Sequence, residues 1–314
     1  MWQPEDVLAV LRGRGELWEA APGLAGFRGP VARLAQGVSN ALTGLALGET
    51  EDDWCVPSGV AFETLERAGY FESFPEWLTA ASHLSGDESV LHRVATAESP
   101  GTEARKALAP ASAALPPAVC YHAYAALAGS TLNAPLLMTA EGTCWRHEGS
   151  RLSLLERGWA FRMREIVCLG DTQEVEEFRQ RGLARAAALA QTIGIETEVA
   201  IATDPFFAPT SRGKALLQRV KSLKHELVMR FPDGRPLAIS SFNNHERFFG
   251  DAFGIALPGG KAAATACVAF GVERWTLALL ATHGPESSEW PDAVSVTGPF
   301  TRDFTAAVGA LSWR

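Results

Sequence analysis

Apolar and polar residues alternate along much of the second half of the chain, in short runs bounded by turn residues. Two such runs, 142–148 and 159–169, flank a polar loop over 149–158, and this spacing predicts an antiparallel pair of strands. Asp171 followed by Glu174 is the signature of a capping box and predicts a helix over 173–192, with Gly194 as its stop. Runs over 226–231 and 236–242 surround Pro232, Asp233, Gly234 and Arg235, residues suited to a hairpin turn. A further strand pair is expected around Pro258, Gly259 and Gly260. Its second strand, 263–270, is expected to lead through Gly271 into a helix over 272–281.

The first third reads as short helical stretches interrupted by Gly and Pro. The Ala- and Pro-rich stretch over 99–117 reads as a surface connection, and a helix is expected from just after Pro117 to near Gly129. No internal repeat is present. Hairpins followed by helices predict an α+β fold, an antiparallel β-sheet flanked by helices, rather than a parallel doubly wound one. With 314 residues, 47% of them hydrophobic, the chain can form one large domain over 1–314, its first 60 residues a helical part of that domain.

Composition narrows the function classes. Charged residues make up 20% of the chain and no low-complexity tract occurs, which excludes a largely disordered protein. The net charge of −8 and the absence of a Lys/Arg block give no support to a nucleic-acid partner. The start carries Glu5, Asp6, Arg12 and Arg14, unlike a signal peptide, and no window approaches the ~20 apolar residues of a membrane helix. A soluble, cytoplasmic protein with no membrane partner is expected. The five cysteines, 55, 120, 144, 168 and 267, form no CxxC pair, and their odd number argues against a disulfide framework.

Three clusters could carry chemistry. Arg146 and Glu148 share a strand face if the run over 142–148 is extended, placing a phosphate-binding guanidinium beside a carboxylate; a surface ion pair is the plainer reading. In the next run Arg162 and Arg164 share one face and Phe161, Met163 and Glu165 the other. A carboxylate among apolar neighbours needs a partner or a metal, and a rim salt bridge is the plainer reading. Arg274 falls in the first turn of the helix after Gly271, where free N–H groups favour anions.

Together these segments resemble motifs 2 and 3 of the class II aminoacyl-tRNA synthetases, and above all the seryl-type relatives known as amino acid:[carrier protein] ligases. The resemblance is carried by Tyr70-Phe-Glu-Ser-Phe-Pro75, Cys120-Tyr-His122, Cys144-Trp-Arg-His-Glu148, Phe161-Arg-Met-Arg-Glu165, Asp204-Pro-Phe-Phe207, Leu223-Lys-His-Glu-Leu227, Ser240-Ser-Phe-Asn-Asn-His245, Thr265-Ala-Cys267 and Gly271-Val-Glu-Arg274. It implies that Arg146 and Arg274 hold the phosphates of ATP, that Glu148 reads the adenine, and that Cys120, Glu165 and Cys267 are the protein ligands of a catalytic zinc. Two thiolates and a carboxylate suit a three-ligand zinc site with one open position, here for the amino group of the substrate. Cys120, near a helix start, is expected to ionise readily; Cys55, Cys144 and Cys168 read as structural.

The implied reaction is activation of a small, uncharged amino acid to its adenylate with ATP and Mg²⁺, then transfer to the phosphopantetheine thiol of a carrier protein. The alternatives are a tRNA-aminoacylating homologue and a non-catalytic carrier-protein or amino-acid binding module. The first 60 residues show no sustained heptads and the chain ends soon after Leu311-Ser-Trp313, so no tRNA-binding arm is expected and tRNA is an unlikely partner. A homodimer is the default for such cores. The sequence departs from the family pattern at Ile166, where an aromatic is expected and Phe161 is the substitute, and at Cys168 and Ala264. Ala238 stands near where full synthetases place a magnesium-binding carboxylate; Glu226 and Glu246 are the substitutes.

Overall fold

The computed structural model describes residues 1–206, 213, 216 and 218–294. Eleven strands are numbered here in chain order: β1 (Leu17–Ala21), β2 (Leu24–Phe27), β3 (Asp53–Trp54), β4 (Ala80–Ala81), β5 (Ala113–Ala114), β6 (Leu136–Trp145), β7 (Ala160–Gly170), β8 (Glu198–Ile201), β9 (Lys224–Arg230), β10 (Pro236–Asn244) and β11 (Ala264–Gly271). Seven of them form one sheet in the order β3-β6-β7-β11-β10-β9-β8. Every neighbouring pair is antiparallel except β3 with β6 at one edge. The alternating pattern thus yields the antiparallel α+β sheet that it predicts.

One face of the sheet is covered by the helices Gly29–Leu47, Thr172–Thr192 and Val272–His283, whose apolar residues form the larger core with the strand residues beneath them. The Thr172–Thr192 helix starts where expected: Asp171 Oδ1 accepts from the N–H groups of Gln173 (2.8 Å) and Glu174 (2.9 Å), and Glu174 Oε2 accepts from the Asp171 N–H (2.7 Å). Gly182 lets this helix approach β11, because a Cβ there would stand 2.6 Å from Val268 Cγ2. The opposite face carries a smaller core under the short helices Cys120–Ala126 and Phe248–Phe253, and beside it a cavity.

Several expectations change. The first 60 residues are not wholly helical: the β1–β2 hairpin separates the helix Pro4–Gly13 from the 19-residue helix Gly29–Leu47. The stretch over 99–117 contains a helix, Pro100–Lys106, and β5, which pairs with β4. Around Pro258-Gly-Gly260 there is a tight turn with a single bridge, Ala256 to Ala262, rather than a strand pair. Pro258 has no N–H to give a ladder, and Gly259 and Gly260 both have positive φ. Gly271 has φ −86°, and a Cβ there would meet Arg274 at an ordinary 3.7 Å, so the passage into the last helix does not depend on glycine. Phe207 and Leu311-Ser-Trp313 lie outside the described residues. Among the described residues no helix is long and apolar enough to cross a membrane.

Candidate active site

Strand alternation sorts side chains between the two faces, and one irregularity shifts that alternation along β10. On β7, Phe161, Met163 and Glu165 line the cavity while Ile166 and Cys168 pack into the helix-side core. The two faces of this run are as the sequence predicts. The aromatic expected at 166 would therefore have faced away from the cavity, and Phe161 is the aromatic of this strand that lines it. On β10 the pairing with β9 slips between Ala238 and Ser240. Before the slip Leu237 and Ile239 pack in the helix-side core; after it Ser240 accepts from Trp275 Nε1 (3.0 Å), Phe242 is in the core and Asn244 donates to Glu176 (2.9 Å). The bulge changes the parity and sends Ser241, Asn243 and His245 to the cavity.

The cavity has a volume of about 830 Å³ and holds every residue singled out from the sequence for phosphate, adenine or metal: Cys120, Arg146, Glu148, Phe161, Glu165, Glu226, Cys267 and Arg274. At its floor the ligand atoms of Cys120, Glu165 and Cys267, from three distant segments, all lie within 4.8 Å of one another. All three residues are buried, at 6%, 2% and 3% exposure. Cys120 opens its helix, and its N–H donates to Glu165 Oε2 at 2.5 Å. No Lys, Arg or His forms an ion pair with Glu165 among the described residues, which removes the rim salt bridge as an explanation. Burial and the neighbouring Cys267 push its carboxyl well above the usual range.

The two thiols are unequal. A hydrogen bond from Cys120 holds Cys267 well below the usual thiol range, with His245 and Asn243 adding to the effect; the same bond, burial and Glu165 push Cys120 up. Cys120, expected to ionise readily, is thus pushed the other way, by its bond to Cys267 first and then by burial and Glu165. Two sulfurs and a carboxylate gathered without a cation suit a divalent ion, since zinc–sulfur bonds of about 2.3 Å place tetrahedral sulfurs about 3.8 Å apart. Cys144 and Cys168 are buried as structural thiols should be, but Cys55 is exposed.

Two guanidinium groups face the same cavity. Arg146 donates through Nε to the Pro117 carbonyl (2.9 Å) and lies over the rings of Trp77 and Phe161, each centroid 5.4 Å away. Arg274, in the first turn of its helix as expected, donates to the carbonyls of Glu156 (2.8 Å) and Ala238 (3.0 Å), and burial, then Arg146 and Arg157, lower its pKa. Neither has a carboxylate within ion-pair distance among the described residues. In a chain of net charge −8, two such cations in one cavity make an anion site. Glu148 lies beyond the end of β6, which stops at Trp145, so strand alternation does not bring it beside Arg146. It is held instead by Arg157 (2.9 Å) and Arg151 (3.8 Å), both at Oε2.

Another part of the wall holds Glu226 and Glu246, named from the sequence as substitutes for a magnesium-binding carboxylate, together with Lys224, Asp204 and Gln218, to which sequence reasoning gave no role. Lys224 Nζ bonds Asp204 (2.6 Å) and Glu226 (3.1 Å), and Gln218 Nε2 donates to the other Asp204 oxygen (2.8 Å). Burial pushes the Asp204 carboxyl up, but Lys224 and Gln218 outweigh it and leave it below its ordinary value. Asp204 and Glu226 in turn hold Lys224 above its ordinary value against burial. Glu246 is tied to Lys221 (2.8 Å). The signal for this network was the alternation in Lys224-His-Glu226, which puts Lys and Glu on one face, but Asp204 joins it only through the fold.

No protein-family model matches the chain. Two curated proteins of Bradyrhizobium diazoefficiens are similar to it. Amino acid–[acyl-carrier-protein] ligase 1 is 38% identical over 233 residues, 73% of this chain and 71% of that protein. Amino acid–[acyl-carrier-protein] ligase 2 is 39% identical over 233 residues, 73% of this chain and 69% of that protein. A solved Methanopyrus kandleri seryl-tRNA synthetase, in complex with Aquifex aeolicus tRNASec, superposes with a TM-score of 0.83 at 23% identity, over 94% of this chain and 60% of that one. The fold is that of the class II aminoacyl-tRNA synthetase catalytic core, and the chain belongs to the amino acid–[acyl-carrier-protein] ligases.

Proposed function

We propose that the chain activates a small, uncharged amino acid with ATP to an aminoacyl adenylate and transfers it to the phosphopantetheine thiol of a carrier protein. The observation that carries this reading is the coexistence, in one cavity, of a buried three-ligand cluster and two arginines free of carboxylate partners among the described residues.

Cys120, Glu165 and Cys267 would hold zinc, which when bound would supply a Lewis acid for the amino group of the substrate. The substrate carboxylate then attacks the α-phosphorus of ATP, and pyrophosphate leaves. Arg146 and Arg274 bind the phosphate oxygens and neutralise charge as it develops, a role in which preorganised cations need no rearrangement. The Phe161 ring packs on the nucleotide base, and Glu148 Oε1, which neither of the two arginines engages, accepts from the adenine amino group. Glu226 is the carboxylate assigned to the magnesium accompanying the phosphates, because Ala238 offers only a carbonyl and that carbonyl accepts from Arg274. The carrier thiol finally attacks the acyl carbon and displaces AMP, so no cysteine of the enzyme acts as nucleophile. We place the enzyme in the cytoplasm as one catalytic domain and a two-fold dimer, the latter checked by sedimentation.

The test is ATP–pyrophosphate exchange over a panel of amino acids, followed by transfer to phosphopantetheinylated carrier protein and, in parallel, to tRNA. The expected result is exchange with small amino acids and a carrier thioester without tRNA charging. Absence of exchange with every amino acid would leave a binding module, and tRNA charging would make the chain a synthetase.

A further inference from the structure

The two sulfurs of the cluster differ in their surroundings. Among the described residues Cys120 Sγ has no nitrogen donor beside it, whereas Cys267 Sγ has two: Asn243 Nδ2 at 3.4 Å and His245 Nε2 at 3.7 Å. Both donors come from the end of β10 that the bulge turns toward the cavity.

The ring of His245 stands on the cavity wall and is held by two hydroxyls and two aromatic rings. Its other nitrogen, Nδ1, faces the hydroxyls of Thr265 (3.2 Å) and Tyr124 (3.4 Å). Its faces and edges meet Phe249, centroid 4.8 Å away at 77°, and Tyr124, 6.3 Å away at 86°. Its backbone N–H donates to the Thr265 carbonyl (2.9 Å), two residues before Cys267 on the same strand, so ring and sulfur share one frame. A metal-bound thiolate can only accept, so the nitrogen facing it must carry a proton; Nδ1 is then an acceptor for the two hydroxyls.

We propose that His245 is a positioning residue for the metal centre: its Nε2–H donates to the Cys267 thiolate, orients that sulfur as a ligand and draws charge from it. This rests on the reading of Cys120, Glu165 and Cys267 as ligands of one cation. An N–H···S bond lowers the charge that the sulfur gives the metal, which leaves the metal a better acceptor for an incoming amine. Cys120, without such a donor, is the stronger electron donor of the pair, and the centre is electronically lopsided by construction.

The test compares wild type, His245→Phe, His245→Gln and Thr265→Val in the full chain. Zinc loss to a chromophoric chelator and the thiolate-to-metal charge-transfer band of the cobalt-substituted protein are read alongside amino acid exchange. Phe keeps the ring packing and removes the donor; zinc should be held about 10–100-fold less tightly and the cobalt band should move to longer wavelength. Gln restores an N–H and should recover part of both. Thr265→Val leaves the ring in place and weakens its anchoring, giving a smaller shift in the same direction, and it serves if the Phe variant does not fold. Unchanged zinc retention and an unchanged cobalt band in His245→Phe, or in Thr265→Val if only that variant folds, overturn the inference while leaving the ligand assignment intact. A wild-type protein that binds no stoichiometric zinc overturns both.

Discussion

Along β11 the residues Ala264, Ala266, Val268 and Phe270 pack under the helices, while Thr265, Cys267 and Ala269 look the other way, toward the short helices and the cavity. The same strand thus belongs to two regions with opposite demands. The helix face is apolar and filled, down to the close approach at Gly182. Among the described residues the cavity face accepts a buried carboxyl without a cation, two thiols and two arginines without carboxylates. Burying these ionisable groups on one side costs stability, which dense apolar packing on the other side offsets.

Substitutions on the two faces should therefore separate stability from chemistry. The largest effect is expected from Phe178→Ala, which empties a fully buried site under the helices. It should lower unfolding free energy by about 3–5 kcal/mol in denaturant titrations, while the molecules that remain folded keep their exchange activity. Comparable loss of exchange per folded molecule would break the division. Cys267→Ser should do the reverse: exchange falls by more than about 100-fold, beyond the loss typical of an outer partner, and zinc is absent from metal analysis, with the denaturation midpoint of the metal-free protein little changed. Full retained activity in that variant would refute the metal assignment.

Smaller effects sharpen the comparison. Asp171→Ala removes both bonds that cap the Thr172–Thr192 helix and should cost about 1 kcal/mol without altering amino acid selectivity. The smallest is a pH effect on the helix side. Burial pushes the Glu176 carboxyl up, but hydrogen bonds from Arg179, Asn244 and Gln180 outweigh it and bring it down to about 2. A carboxyl depressed on folding stabilises above its unfolded pKa and loses that contribution as pH falls through the folded value. Unfolding midpoints should therefore drop between the ordinary carboxylate range and about pH 2, and Glu176→Gln should flatten that part of the profile. The exposure of this group keeps the effect modest. An identical acid limb in the variant would assign the pH dependence to other carboxylates.

Much of this could be read in advance where the interaction is local. The capping box of Asp171 and Glu174, the turn at Asp233-Gly234 and the two-faced strand carrying Phe161, Met163 and Glu165 all follow from neighbours in the chain. The resemblance supplied the residues of the metal cluster, and the fold brings them together. The bulge on β10 is marked in the sequence only by the switch of the apolar positions from Leu237 and Ile239 to Phe242, and that switch does not say which face meets the cavity. The thiol of Cys120, expected from its place at a helix start to ionise readily, is pushed up by thiol and carboxylate neighbours that come from β11 and β7.

The sequence by itself determined the α+β class and the antiparallel pairing of neighbouring strands such as β6 with β7 and β9 with β10, because periodicity, caps and turns act over a few residues, while the chemistry-bearing residues came from the resemblance. Only the tertiary structure decided which donors surround Cys267, that Arg146 and Arg274 share a cavity without carboxylate partners, and that Asp204 locks Lys224. Those contacts join segments separated by tens of residues or more, and their energies depend on distance and burial, quantities that exist only once the chain has folded.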